Sequence, residues 1–136
     1  MHNGMRDYER RMAGVKETLF GSVPLAGKEV VEVGIGTGPS LRYFADAGVS
    51  RVVGVEPNLA MHPIALEEAR LCGLDTADRS RLELVGAFAE ELPLPSASFD
   101  VVVATMVMCS VRDVEAAARE IHRILRPGGR YLFIEH

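Results

Sequence analysis

The chain has 136 residues, of which 48% are hydrophobic and 25% are charged, and its formal net charge is −4. This length and composition are typical of one globular domain with its own hydrophobic core. The net negative charge argues against nucleic-acid binding through a basic surface, because the contacts of basic side chains with phosphates supply most of the affinity for nucleic acids. No apolar run reaches the roughly 18 residues that a membrane span needs, and the polar first segment lacks the apolar centre of a signal peptide.

Cysteine and histidine use is sparse, with two and four residues scattered along the chain. Their spacing predicts neither a disulfide framework nor a metal site. Cysteines used in this way are typical of a reducing compartment, so a cytoplasmic location is expected.

The first segment predicts an amphipathic helix. Apolar residues recur at three- and four-residue steps from Met5 to Leu19, with charged residues opposite them. The stretch "SVPLAGK" ends this helix. Residues 1–27 are therefore predicted as a leading helix with its connector, and residues 28–136 as the core domain.

Strands and helices alternate along the core domain. In chain order the predicted elements are strand Glu29–Val33, helix Ser40–Ala47, strand Arg51–Glu56, helix His62–Cys72, strand Arg81–Val85, strand Asp100–Thr105, a helix from Val114 to Leu125 and strand Tyr131–Glu135. Gly48 and Asp113 suit a helix C-cap and N-cap, Pro63 must lie in a first helical turn, and "RPGG" is the expected turn before the last strand. This order predicts an α/β fold, a doubly wound, mostly parallel, Rossmann-like sheet with helices on both faces.

Three glycines at alternate positions, Gly34, Gly36 and Gly38, directly follow the first strand. In a doubly wound sheet, ligands bind beyond the carboxyl ends of the strands, where glycines let a ligand approach the backbone amides. A tight turn with close helix–strand packing would also explain them. Glu56 ends the second strand, 18 residues after Gly38, and a carboxylate there can accept hydrogen bonds from both hydroxyls of a ribose. The combination predicts a ligand that contains adenosine.

The glycine spacing bears on which adenosine ligand is expected. The dinucleotide fingerprint places its third glycine where Pro39 stands in this chain. A proline also removes an amide from the helix start, where a pyrophosphate would bind. A ligand without phosphates fits better than NAD, although an NAD-dependent oxidoreductase stays an alternative.

Four stretches resemble the motifs of one enzyme family. "VVEVGIGTGPSL" resembles the first motif of class I S-adenosylmethionine-dependent methyltransferases. "GVEPNLAM", "GAFAEELPLPSASFDVVVAT" and "EIHRILRPGGRYLFIEH" are similar to the motifs that follow, in the same order. Within that family, the last third of the chain and "YERRMAGVKETLF" are most similar to the thiol methyltransferase group, with the ubiquinone/menaquinone C-methyltransferases next.

The resemblance implies an S-adenosylmethionine site. Its residues would be Glu32, Gly34, Gly36, Thr37, Gly38, Glu56, Pro57, Asn58, Met61, Ala89, Glu90, Thr105 and Met106. The glycines would lie under the methionine moiety, Glu32 would orient its amino group and Glu56 would hold the ribose. Met61 and Met106 are equally well explained as core residues. Phe88 departs from the family, since many relatives carry an acidic residue there.

The resemblance also implies a function, which is methyl transfer to a small-molecule acceptor such as a thiol or a lipid-like compound. No catalytic residue is indicated, because His62, His122, His136 and Cys109 carry no sign of activation. Family sheets continue beyond the fifth strand, so the chain is expected to be truncated there. That strand would then be an exposed edge through which two copies could pair. A non-catalytic cofactor-binding or interaction domain is the alternative.

Overall fold

A computed structural model describes residues 2–105 and 111–134, with side chains from residue 10 onward. The helices are α1 (His2–Gly21), α2 (Leu41–Ala47), α3 (His62–Leu71) and α4 (Val114–Ile124). The strands are β1 (Glu29–Val33), β2 (Arg51–Val55), β3 (Leu82–Val85), β4 (Phe99–Thr105) and β5 (Leu125–Ile134). A short 3-10 turn, Leu59–Met61, leads into α3.

The described strands form one parallel sheet in the order β3-β2-β1-β4-β5. The chain builds outward from β1 to β3 on one side and then returns to place β4 on the other side of β1. This reversal makes β1 and β4 the switch point of a doubly wound sheet. The predicted fold class is confirmed.

Hydrophobic clusters cover both faces of the sheet. Neighbouring valines of β1 point to opposite faces, so Val30 joins the cluster under α1, α2 and α3, and Val31 joins the cluster under α4. The leading helix is part of the first cluster, because the ring of Phe20 lies 5.2 Å from that of Phe44 in α2. Both faces of the central strands are therefore buried, as parallel sheets require.

Local signals placed the helix ends correctly. Gly48 ends α2 with a left-handed φ of 77°, and its amide bonds to the last carbonyls of the helix. The side chain of Asp113 accepts a hydrogen bond from the Ala116 amide at 3.0 Å and caps α4. Pro63 lies in the first turn of α3, where its missing amide costs nothing.

The "RPGG" stretch differs from its prediction as a turn before the last strand. β5 already begins at Leu125, directly after α4, and "RPGG" lies inside it. Leu125 pairs with Phe99, whereas the next paired residue, Arg130, faces Val101. The strand bulges between these pairs, and Gly128 permits the bulge with a φ of 82°. Pairing with β4 therefore starts before the glycines rather than after them.

β5 lies at one edge of the sheet and pairs only with β4 among the described residues. Its Tyr131 and Phe133 rings stack with centroids 5.1 Å apart, and Phe133 is 53% exposed. The pairing of two copies through this strand stays a prediction.

An ion-pair network joins all five strands near their amino ends. The Arg51 guanidinium contacts the carboxylates of Glu29 at 3.3 Å and Glu83 at 2.8 Å. Arg126 contacts Glu29 at 3.1 Å and Asp100 at 3.0 Å. Asp100 also accepts a hydrogen bond from the Glu29 amide at 2.9 Å. The network links the amino ends of the five strands, at the end of the sheet opposite their carboxyl ends.

These contacts make stability depend on the charge of Asp100. Burial raises the pKa of Asp100, but the Glu29 amide and the Arg126 guanidinium outweigh burial and hold it below its ordinary value. The stabilisation is therefore complete above the unfolded pKa of about 3.9 and is lost as the pH falls through the lower folded pKa.

Arg126→Gln is expected to lower the free energy of unfolding at neutral pH, because it removes two partly exposed ion pairs. The difference from the wild type should shrink as the pH falls through the lowered folded pKa of Asp100, where its carboxyl becomes protonated. Urea unfolding at about pH 7 and about pH 3 measures both values. Arg119→Gln, which breaks a 4.0 Å surface pair with Glu115, is the control. A difference that persists unchanged in acid would contradict the role of Asp100.

Candidate functional site

A cavity of about 760 Å³ lies at the carboxyl ends of β1, β2 and β4. It is lined by Val33, Gly34, Val55, Glu56, Pro57, Ala87, Phe88, Ala89, Glu90, Glu91, Thr105, Val111 and Arg112. This is the switch point of the sheet, where α/β folds of this type bind their ligands. The volume is within the range of small-molecule sites, about 300–1,000 Å³.

The glycine loop begins at the cavity and is held against β2. The amides of Gly34 and Ile35 both donate to the Val55 carbonyl, at 2.8 and 3.1 Å. Gly34, Gly36 and Gly38 have φ angles of 74°, 57° and 85°, a region that other residues rarely adopt. The loop therefore depends on glycine for its backbone conformation.

Two of these glycines also meet different spatial needs. A Cβ at Gly38 would lie 2.8 Å from Cδ1 of Leu41 and 3.5 Å from the Cα of Ala65, so the missing side chain allows close packing there. A Cβ at Gly36 would meet nothing within 4 Å. The backbone at Gly36 thus faces open space that a ligand could enter.

The Glu56 carboxylate is fixed between two loops. Its Oε1 accepts a hydrogen bond from the Gly36 amide at 3.0 Å, and its Oε2 accepts one from the Asn58 amide at 2.9 Å. Each carboxylate oxygen can accept a further bond, so two acceptor positions remain available for a ligand. The Glu56 carbonyl accepts from Nε2 of His62 at 2.9 Å, which holds the chain after β2 in place.

The segment that follows β3 forms the next part of the cavity wall. Ala89 is buried, whereas the Phe88 side chain is 67% exposed although it is a large aromatic group. The Glu91 amide donates to the Phe88 carbonyl at 3.1 Å, which folds the segment into a turn. An exposed ring beside a cavity is a flat apolar surface suited to a planar ligand group.

Two residues of α4 hold the loop beyond this turn. Oε1 of Glu120 accepts from the Leu92 amide at 2.8 Å. The Arg123 guanidinium donates to the carbonyls of Leu92 at 2.9 Å and Leu94 at 2.8 Å. Arg123 also donates to Glu120 at 2.6 Å and holds the pKa of that carboxyl below its ordinary range. The cavity wall is therefore anchored to the helix on the far side of the loop.

Six of the residues proposed from the sequence line the cavity, namely Gly34, Glu56, Pro57, Ala89, Glu90 and Thr105. Gly36 and Asn58 do not line it, but their amides hold Glu56. Gly38, Thr37 and Met61 lie outside the lining. Met106 falls outside the described residues, as do Cys109 and His136.

Glu32 is placed differently from the cavity residues. It is only 1% exposed and lies in the middle of the sheet, opposite Gly54 of β2 and Val103 of β4. It does not line the cavity. Its expected contact with a ligand amino group stays a prediction.

Sequence reasoning did not select Val111 and Arg112, which also line the cavity. They come directly before the Asp113 cap of α4, so the cap marks where the chain returns to the carboxyl edge of the sheet. That cap was the only signal available for them. His62 and His122 do not line the cavity, and His122 is exposed on α4.

No group of three potential metal-binding side chains occurs in residues 2–105 and 111–134. Within the same residues, no helix combines the length and apolar character that a membrane span needs. The cytoplasmic location stays a prediction.

Comparison with known proteins identifies the family. Residues 31–133 match the family described as a methyltransferase domain. The chain belongs to this family. The resemblance drawn from the sequence motifs is thereby confirmed.

Several methyltransferases show how far the similarity extends. The thiol S-methyltransferase TMT1A of Homo sapiens is 31% identical over 138 residues, which cover 95% of this chain and 53% of the relative. The ubiquinone/menaquinone biosynthesis C-methyltransferase UbiE of Hahella chejuensis is 37% identical over 113 residues, 81% of this chain and 43% of the relative. An S-adenosylmethionine-dependent methyltransferase from Mesorhizobium loti superimposes with a TM-score of 0.75 at 27% identity, over 90% of this chain and 54% of that one. The chain spans about half the length of the curated relatives it matches.

Proposed function

We propose that this methyltransferase-family chain binds S-adenosylmethionine in the cavity at the carboxyl ends of β1, β2 and β4 and transfers its methyl group to a small-molecule acceptor. The observation that carries the proposal is the Glu56 carboxylate. Two backbone amides hold it beside the open space at Gly36, with an acceptor position left on each oxygen. A ribose offers two neighbouring hydroxyls that match such a carboxylate.

The other residues of the cavity fit the rest of this cofactor. The described lining carries three carboxylates, from Glu56, Glu90 and Glu91, and one guanidinium, from Arg112. An excess of negative charge suits a ligand with a positively charged sulfonium. Phe88 offers a ring face on which a nucleobase can stack. Pro39 removes an amide just before α2, which makes the loop a poorer site for the pyrophosphate of NAD.

When bound, S-adenosylmethionine supplies a methyl group that its sulfonium has already activated for displacement. The chain's own contribution is to bind and align, and alignment of this kind can lower a barrier by roughly 7–11 kcal/mol. Glu56, whose Oε1 accepts the Gly36 amide, would hold the nucleoside, and Thr105 at the end of β4 lines the same cavity.

We propose a thiol as the acceptor class. A thiol ionises with a pKa of about 8.5, so a thiolate forms near neutral pH without a dedicated strong base. The described cavity lining contains no histidine, lysine or cysteine that could serve as such a base. The relative named thiol S-methyltransferase, which aligns with 95% of this chain, supports the same class.

Thermal unfolding of the chain with added ligands tests the cofactor. S-adenosylmethionine and S-adenosylhomocysteine should each stabilise the chain, by about 2.7 kcal/mol at 100 times the dissociation constant, whereas NAD should not. Stabilisation by NAD alone would replace the proposal with the oxidoreductase alternative.

Transfer of a labelled methyl group tests the acceptor. Thiophenol and 2-mercaptoethanol should be methylated, and a quinol of similar size should not. Methylation of the quinol alone would favour the acceptor chemistry of the ubiquinone/menaquinone relatives. Stabilisation by the cofactor without transfer to either acceptor class would favour the non-catalytic alternative.

A further inference from the structure

The Glu90 side chain links two parts of the cavity wall that are far apart in sequence. Glu90 lies in the segment after β3 and lines the cavity. Its Oε2 accepts hydrogen bonds from the amides of Arg112, at 3.0 Å, and Asp113, at 3.4 Å. Arg112 lines the same cavity, and Asp113 caps α4. One carboxylate oxygen therefore holds both the wall after β4 and the start of a helix.

The other oxygen of Glu90 is in an unfavourable position. Oε1 is buried and accepts no hydrogen bond from any of the residues that the structure describes. A buried acceptor without a donor has lost its water without compensation, which costs free energy. Glu120, on the neighbouring helix, has both of its oxygens bonded to donors. The two amide bonds of Glu90 Oε2 are therefore made at the cost of burying Oε1 without a donor.

We propose that Glu90 is a positioning residue that sets the distance between the segment after β3 and the Val111–Asp113 segment, and so the width of the cofactor cavity. The inference rests on the proposed function for the identity of the ligand. Glu90 acts in this account through the backbone amides that it holds, because its second oxygen is shielded from solvent. A carboxylate suits this task, since a charged acceptor binds two amides more strongly than a neutral one.

Glu90→Ala and Glu90→Gln separate this role from the alternatives. Glu90→Ala removes the link and should weaken the binding of S-adenosylhomocysteine by about 10-fold. Glu90→Gln keeps one oxygen for the amides and should weaken binding by no more than about 3-fold. Glu115→Ala is the matched control, because it removes a carboxylate from the first turn of α4 at a side chain that is 90% exposed. Calorimetric titration gives the three affinities.

Amide hydrogen exchange provides a readout that needs no ligand. Exchange at Arg112 and Asp113 should become faster in Glu90→Ala and stay unchanged in Glu115→Ala. Faster exchange together with weaker binding supports the proposal. Unchanged exchange would overturn it, and so would faster exchange with unchanged affinity, since Glu90 would then serve only the local structure.

Two further outcomes are also decisive. Equal loss of affinity in Glu90→Gln and Glu90→Ala would overturn the positioning role, because it would mean that the ligand itself needs the charge. If the wild-type chain binds no S-adenosylhomocysteine, the proposed function fails. The exchange rates at Arg112 and Asp113 then decide by themselves whether Glu90 holds the wall.

Discussion

Glu56→Ala is expected to lower the affinity of the chain for S-adenosylhomocysteine by about 100-fold or more. Each hydrogen bond between a ribose hydroxyl and a carboxylate is worth about 1.5–3 kcal/mol, and the variant removes two of them. It also releases the amides of Gly36 and Asn58, which Glu56 holds at 3.0 and 2.9 Å. Calorimetric titration with S-adenosylhomocysteine measures the loss.

Controls for Glu56→Ala must separate ligand recognition from loop structure. Glu56→Gln keeps the size and one acceptor oxygen, so an intermediate loss of about 10-fold is expected. Glu67→Ala removes a carboxylate from α3 that pairs with Arg70 on the surface, and it should bind like the wild type. Wild-type affinity in Glu56→Ala would place the ribose elsewhere and remove the main support for the proposed function.

Gly38→Ala is expected to reduce mainly the stability of the fold, whereas Gly36→Ala is expected to reduce mainly the affinity for the cofactor. Gly38→Ala should lower the free energy of unfolding by about 2–3 kcal/mol, since a left-handed backbone costs about 1–2 kcal/mol and overpacking adds to it. The new Cβ would lie 2.8 Å from the buried Leu41. Gly36→Ala carries only the backbone cost, because its Cβ would meet no atom within 4 Å.

The loss of cofactor binding should occur mainly in Gly36→Ala. The Gly36 amide is bonded to the Glu56 carboxylate and the new Cβ would enter open space at that position, so the affinity of Gly36→Ala for S-adenosylhomocysteine should fall by about 10-fold. Gly38→Ala should retain most of its affinity as long as it is folded. Urea unfolding and calorimetric titration on the same two proteins give both quantities. Equal destabilisation of the two would refute the packing role of Gly38, and wild-type binding by Gly36→Ala would refute the cofactor position.

Much of the fold could be predicted because its signals are local. The apolar run of β1 predicted Glu29–Val33 with the observed bounds, and Gly48 and Asp113 marked helix ends through their own backbone bonds. The "RPGG" stretch was predicted wrongly because glycine and proline usually punctuate elements, whereas here β5 already pairs with β4 at Leu125 and these four residues form a bulge before pairing resumes at Arg130.

The candidate site was predicted in part for the same reason. Glu56 and the glycines carry a spacing that is visible along the chain, but the difference between Gly36 and Gly38 depends on Leu41 and Ala65, which only the folded backbone brings near. Glu32 lies close to these glycines in sequence, yet strand alternation places its buried side chain on the same face of the sheet as Val30, and it is not among the residues that line the cavity.

The amino-acid sequence by itself determined the alternation of strands and helices, the family and the two loops that meet at Glu56, because these depend on periodicity, turn chemistry and short motifs. Only the tertiary structure decided that Val111 and Arg112 complete the cavity and that Glu90 holds them. The physical reason is that parallel pairing places the carboxyl ends of β3 and β4 at the same end of the sheet. The Glu90 carboxylate can therefore bind the amide of Arg112, which is 22 positions away in sequence. A backbone amide is present at almost every residue, so this contact has no sequence signature.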